Sequence, residues 1–147
     1  MIKPHALVAV LAALLAVFAG TASAGSSNTT IHLDLPGTKS SYVDLGPKGY
    51  SGGDYFVTTG RVLDRATGKP AGRLGGIWTI ISRAADNASF DLGLAHGTLI
   101  VDGRIVHAAR QSTLSIVAGT GSYTGAHGTV TFRYLSETTA ALDVRLR

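Results

Sequence analysis

The chain has 147 residues, no cysteine and a formal charge of +4. That excludes cysteine nucleophiles, thiolate metal sites and redox motifs, and the basic residues are scattered rather than clustered, so nucleic-acid binding has no footing. The length fits one domain, which without disulfides depends on burial and hydrogen bonding alone.

Residues 1–24 read as a secretory signal peptide. Lys3 supplies the positive start, Ala6 through Ala19 an uncharged apolar run, and Ala22-Ser23-Ala24 a small-x-small cleavage site. The apolar run is shorter than the roughly 18–20 residues of a spanning helix. The expected protein is therefore secreted, with no membrane partner after cleavage. Residues 25–40 are expected to form a flexible N-terminal segment with a first strand, and 41–147 a single β domain.

Ile31, Leu33 and Leu35 alternate with His32 and Asp34, which suggests that first strand, ended by Pro36-Gly37. A short strand over 41–45 leads into a glycine-rich connector, Gly46-Pro47-Lys48-Gly49 and Gly52-Gly53. Strand 54–64 meets a turn at Thr67-Gly68, and strand 71–82 follows. Asp86-Asn87-Ala88 is read as the next turn. Strand 89–101 then runs to Asp102-Gly103, a type I′ hairpin signal. Strands are expected over 104–110, 113–118, 127–135 and 139–146, with a glycine loop from Gly119 to Gly125 between the second and third of these. Short strands with regular turns argue for an antiparallel barrel or sandwich.

Three apparent motifs fail on context. Gly49-Tyr50-Ser51-Gly52-Gly53 matches a serine-hydrolase elbow, but a strand follows rather than the required helix. The glycine loop lacks the helix and lysine of a phosphate site. His32, His96, His107 and His127 show no metal-ligand spacing, so no metal and no cofactor is expected.

Two blocks of residues carry a family resemblance. Val117, Gly119, Thr120, Gly121, Tyr123, Ala126 and Gly128 fit an apolar-V-x-G-T/S-G-x-aromatic-x-x-A-x-G signature. Upstream, Gly53-Asp54, Val62-Leu63-Asp64, Thr67-Gly68-Lys69 and Ala71-Gly72-Arg73-Leu74-Gly75-Gly76 follow in matching order. Over roughly residues 42–146 the chain resembles the allene oxide cyclase and dirigent-protein superfamily, and within it the small secreted bacterial allene oxide cyclase-like branch. The resemblance implies an all-β fold, a closed, calycin-like antiparallel barrel of eight strands, wide enough for one small ligand or for side chains alone.

On strand 71–82, Leu74, Gly76, Trp78 and Ile80 share one face, and Arg73, Ile77 and Ile81 the other. Plant allene oxide cyclases place the cysteine of a Gly-Ile-Cys segment in their cavity. Here Gly76-Ile77 is followed by Trp78, so Trp78 is expected inside and the cyclase reaction itself is not implied. Phe132 and Tyr134, two apart on one strand, are expected beside it, with His107 as a further ligand-binding residue. Dirigent proteins carry Ala-Arg-Gly where this chain has Ala126-His127-Gly128, and they use acidic residues in their cavities. By that likeness His127 is a candidate to orient an oxygen, and Asp54 and Asp34 to handle a proton. Asp54 has an equally good reading as an acceptor for backbone N–H groups at its turn.

Two functions stay open. One is a barrel that binds a small apolar or phenolic ligand and guides its cyclisation, isomerisation or stereoselective coupling. The other is a non-catalytic exported binding or structural module with a filled barrel. Ile77 and Ile81 on the outer face predict a homo-oligomer.

Overall fold

A computed structural model describes residues 28–147; the signal-peptide expectation lies outside the described residues. Apolar–polar alternation becomes nine strands: β1 (Thr29–Leu35), β2 (Thr38–Val43), β3 (Tyr55–Asp64), β4 (Pro70–Ser82), β5 (Ala85–Leu94), β6 (Gly97–Val106), β7 (Gln111–Gly119), β8 (Gly128–Tyr134) and β9 (Ala140–Leu146). One 3₁₀ turn, Gly121–Tyr123, is the only helical element among the described residues.

Every neighbour pair is antiparallel, in the order β1-β9-β8-β7-β6-β5-β4-β3-β2, and a β1–β3 pairing closes the ring. β1 and β2 lie along the same edge of β3: Asp34 sits opposite Leu63 and Thr38 opposite Gly60. Pro36-Gly37 ends β1, as the sequence suggests, and bends the line of chain into β2; the first half of that line also pairs with β9. Taking that line as one strand, the barrel has eight, as the family resemblance implied.

Beyond Leu35 the line leaves β9 and continues as β2 on β3 alone. The wall opens there between β2 and the β8–β9 turn, which are bridged where Thr38 N–H donates to Thr138 O at 3.1 Å, and the gap forms a mouth. The opposite end is closed. Thr120 N–H donates to Thr98 O at 2.8 Å and Ser122 N–H to His96 O at 2.8 Å, which docks the glycine loop on the β5–β6 turn. A Cβ on Gly121, whose φ is 59°, would meet His96 O at 2.4 Å. The glycines of the family signature thus serve close backbone approach at the closed end.

Between the ends the barrel is packed. Leu33, Val62, Phe90, Leu92, Leu99, Val101, Leu114, Val130, Leu142 and Val144 are buried, each contributing about 1.5–3 kcal/mol by leaving water. Closure and this core replace the absent disulfides.

Two turns differ from expectation. Asp86-Asn87-Ala88 lies inside β5, and the turn is Arg83-Ala84, where Ala84 N–H donates to Ser82 Oγ at 3.1 Å. Asp102-Gly103 lies inside β6, and the turn is Ala95-His96. Unbroken inward alternation through Asp86, Ala88, Phe90 and Leu92 outweighs local turn chemistry. Gly103 instead permits close approach of β7, since its Cβ would lie 3.1 Å from Leu114 Cα.

The outer seam carries an ionic strap. Arg65, just past β3, donates from Nε to Asp34 Oδ1 (2.8 Å), from Nη1 to Asp143 Oδ1 (2.8 Å), and from Nη2 to Leu33 O (2.9 Å) and Leu142 O (3.3 Å). His32 Nδ1 lies 2.7 Å from Asp143 Oδ1, and Arg133 Nη2 donates to Asp143 Oδ2 at 3.1 Å. One guanidinium thus ties together the three strands that close the barrel.

Candidate ligand-binding site

A cavity of about 290 Å³ opens at the mouth. Leu35, Thr38 and Ser40 line it from one side of the gap, and Glu137, Thr138, Thr139 and Ala140 from the other. Phe56, Thr58, Leu74, Trp78, Asp86, Phe132 and Tyr134 complete it. The volume sits at the small end of ligand sites.

Its walls are aromatic. Trp78 points inward from β4, as the alternation there predicts, and stacks on Phe90 with ring centroids 5.6 Å apart and planes 5° from parallel. The cross-strand neighbours of Trp78 are Phe56 and Ala88, so a small residue leaves room for the indole on one side. Gly76 beside it admits no side chain, because a Cβ would meet the Phe90 Cβ at 2.3 Å. Phe132 and Tyr134 extend from β8 and meet edge to face at 4.9 Å. Tyr134 stands at the rim, 45% exposed as a residue. Desolvation of its hydroxyl and the nearby Asp86 charge raise its pKa, against a polar contact with Trp78. It therefore stays protonated, a hydrogen-bond donor, at neutral pH.

Asp86 is the residue that sequence reasoning missed. It is only 7% exposed and faces the cavity from β5. Its Oδ2 lies 2.9 Å from His107 Nε2, while Oδ1 is buried without a protein partner. His107 Nδ1 is 3.1 Å from Arg83 O. A carbonyl can only accept and an ionised carboxylate can only accept, so the geometry favours a proton on each ring nitrogen. The hydrogen bond to Asp86 accordingly raises the His107 pKa, against partial burial. His107 does not line the cavity; it positions the carboxylate that does.

The other acid–base candidates lie elsewhere. Asp34 faces outward in the seam strap. His127 is exposed at the closed end, where its ring approaches only Gly125 O, at 3.5 Å. Asp54 is fully shielded, but both oxygens are occupied. Oδ1 accepts from Leu45 N–H (2.9 Å) and Gly46 N–H (3.3 Å). Oδ2 accepts from Ser51 N–H (2.7 Å), Ser51 Oγ (2.9 Å) and Tyr42 Oη (2.7 Å). The Leu45 N–H and then the Tyr42 hydroxyl hold its pKa far below the usual carboxylate range. Asp54 organises the glycine-rich connector and does not line the cavity. The structure thus gathers Trp78, Phe132 and Tyr134 in one site with His107 behind Asp86, and leaves Asp34, Asp54 and His127 outside it. No group of three His, Asp or Glu side chains placed to hold a metal occurs among the described residues.

Solved structures with this fold have varied chemistries. A pyocyanin demethylase superposes with a TM-score of 0.71 at 20% identity, covering 81% of this chain and 100% of its own. A pterocarpan synthase dirigent protein gives 0.68 at 18% identity, covering 81% and 94%. The Diels Alderase AbmU from Streptomyces koyangensis gives 0.66 at 18%, covering 82% and 63%. These likenesses establish the fold. No curated protein matches the chain. The family model described as "Allene oxide cyclase barrel like domain" matches residues 36–146. With that match over most of the chain, the protein belongs to the allene oxide cyclase-like barrel family.

Proposed function

We propose that this barrel binds a small apolar or aromatic molecule in its mouth cavity and guides isomerisation or cyclisation of that molecule without a cofactor. One observation carries the reading: the Asp86 carboxylate, the Tyr134 hydroxyl and three further aromatic rings, Phe56, Trp78 and Phe132, line a single cavity. The rings hold a planar or polyene framework in one conformation, so positioning supplies much of the acceleration. Asp86 accepts a proton from one ligand atom and returns it to another, and the Tyr134 hydroxyl donates to an oxygen on which charge develops. The proton count balances, and no electrons leave the ligand. That barrels of the same fold include a pyocyanin demethylase, a pterocarpan synthase dirigent protein and a Diels Alderase supports this reading.

The test is conversion of a panel of phenolics, polyenes and oxidised fatty acids. Asp86→Asn is expected to lower kcat on the responsive class by about 10²–10⁴-fold, whereas His127→Ala leaves it unchanged. Full activity in Asp86→Asn would overturn the assignment. The packed barrel below the mouth favours the second reading, a non-catalytic binding module; binding without conversion of any compound would establish it.

We also propose that the protein acts after export, supported by the pattern of residues 1–24, and that it self-associates. Val57, Ile77 and Ile81 are 42%, 45% and 44% exposed on the outer face, with Val57 and Ile77 directly paired across β3 and β4. An oligomer is expected by light scattering at micromolar concentration, and a monomer there would contradict it.

A further inference from the structure

We infer that the mouth end of the barrel docks on a lipid surface, with the side wall and the closed end left in water. This adds a partner beyond the cavity's ligand. It replaces the expectation of no membrane partner, which rested on the lack of a spanning segment.

The placement of exposed apolar side chains is the first reason. Strand alternation puts the β2–β3 connector and the β4–β5, β6–β7 and β8–β9 turns at the mouth end. Leu45 and Tyr50 on the connector are 67% and 68% exposed, and Leu135 on the β8–β9 turn is 62% exposed. Val106 at the β6–β7 turn and Tyr134 beside Leu135 are exposed as well. Among the described residues, the turns and glycine loop of the opposite end carry no exposed large apolar side chain. Such a one-sided apolar ring marks a contact surface. The connector is also held rigid. Leu45 N–H and Ser51 N–H both donate to the Asp54 carboxylate, and Tyr50 stacks on Tyr42 with centroids 5.1 Å apart. Two apolar side chains are thus held out in solvent on an ordered loop, which lowers the entropy lost when they bind.

The charge of the rim is the second reason, and it selects lipid over a second copy. Lys48, Arg83 and Arg110 stand exposed on three of the same four loops, and none has an acid partner among the described residues. Against them stand Glu137 and Asp44, the latter accepting Gly49 N–H at 3.0 Å. Apolar side chains interleaved with cations suit a boundary between acyl chains and anionic headgroups. Two copies docked mouth to mouth would instead set these cations against one another. The barrel does not span a bilayer: Thr59, Arg61, Arg73, Ser89, Asp91 and Asp102 are exposed along the outer wall, where a spanning barrel carries an apolar band. Because the cavity opens through the ring, an apolar ligand would enter it from the lipid without crossing water.

Co-sedimentation with vesicles of equal parts phosphatidylglycerol and phosphatidylcholine tests this. The protein used is the chain without residues 1–24, which holds every described strand; their apolar run then cannot act as the anchor. The protein is expected to pellet with these vesicles and more weakly with phosphatidylcholine alone. The double variant Leu45→Ser, Tyr50→Ser is expected to weaken partitioning by about tenfold or more, whereas Val117→Ser, on the side wall, leaves it unchanged. The wild-type result decides the matter even if the double variant fails to fold. No pelleting with the mixed vesicles overturns the inference and leaves the cavity reading standing. Pelleting that the folded double variant leaves unchanged, or that Val117→Ser weakens equally, overturns it too. So does self-association that the double variant abolishes in a protein that ignores vesicles, since the rim would then be a contact between copies.

Discussion

Trp78→Ala is expected to destabilise the barrel by about 3–5 kcal/mol, the usual range for removing a large buried aromatic. Trp78 is 6% exposed and lies flat on Phe90, which is itself 2% exposed. Two of its neighbours are too small to refill the space: Ala88 sits opposite on β5 and Gly76 two residues back on β4. The void would join the mouth cavity, so the same change removes the wall a planar ligand stacks on. Trp78→Phe keeps an aromatic face and is expected to lose less than half as much stability. Urea unfolding followed by circular dichroism reads both. A loss under about 1 kcal/mol for the alanine variant would mean that the indole is not part of the core.

The second large effect is at the seam. β1 meets β3 over only Leu33–Asp34 and Leu63–Asp64, so closure depends heavily on Arg65. Arg65→Met is expected to cost about 1–3 kcal/mol, since it removes charge-assisted hydrogen bonds to partly exposed carboxylates and two hydrogen bonds to backbone carbonyls. The pH dependence follows. Burial raises the Asp143 pKa, but His32, Arg65 and Arg133 outweigh it, and the net shift is downward. A carboxyl lowered in the folded state contributes stability above its unfolded value of about 3.9 and loses it as pH falls through the folded value. Wild-type stability should therefore decline in acid below about pH 4, and the decline should be shallower in Arg65→Met. Denaturant midpoints measured against pH check this; identical acid slopes would remove Arg65 from the account.

Much of the barrel was legible because its strands alternate cleanly. On β4 the inward set Leu74, Trp78 and Ile80 and the outward pair Ile77 and Ile81 follow from period two alone. The turns were less legible. Arg83-Ala84 carries no turn residue of its own and is made by the Ser82 hydroxyl, while Asp-Asn and Asp-Gly, strong turn formers elsewhere, are held extended by strand pairing on both sides. That error hid the site's carboxylate, since Asp86 inside a turn would face solvent. His107 was legible as a polar residue near a strand end; its partner was not, because the two are 21 positions apart and meet only through the β5–β6 register. Asp54 and Asp34 stood out as acids next to strands, but burial and hydrogen-bond saturation are three-dimensional properties that spacing does not reveal.

Trp78 carries the chain's only indole, and its N–H gives a single reporter inside the cavity. The most direct test of the cavity as ligand site is a nuclear magnetic resonance titration of ¹⁵N-labelled protein with 2-naphthol. The account predicts saturable shifts of the Trp78 indole and of amides around Asp86, Phe132 and Tyr134, with the closed end near His127 unmoved. Saturable shifts confined to the outer face or the closed end, with the Trp78 indole fixed, would contradict it.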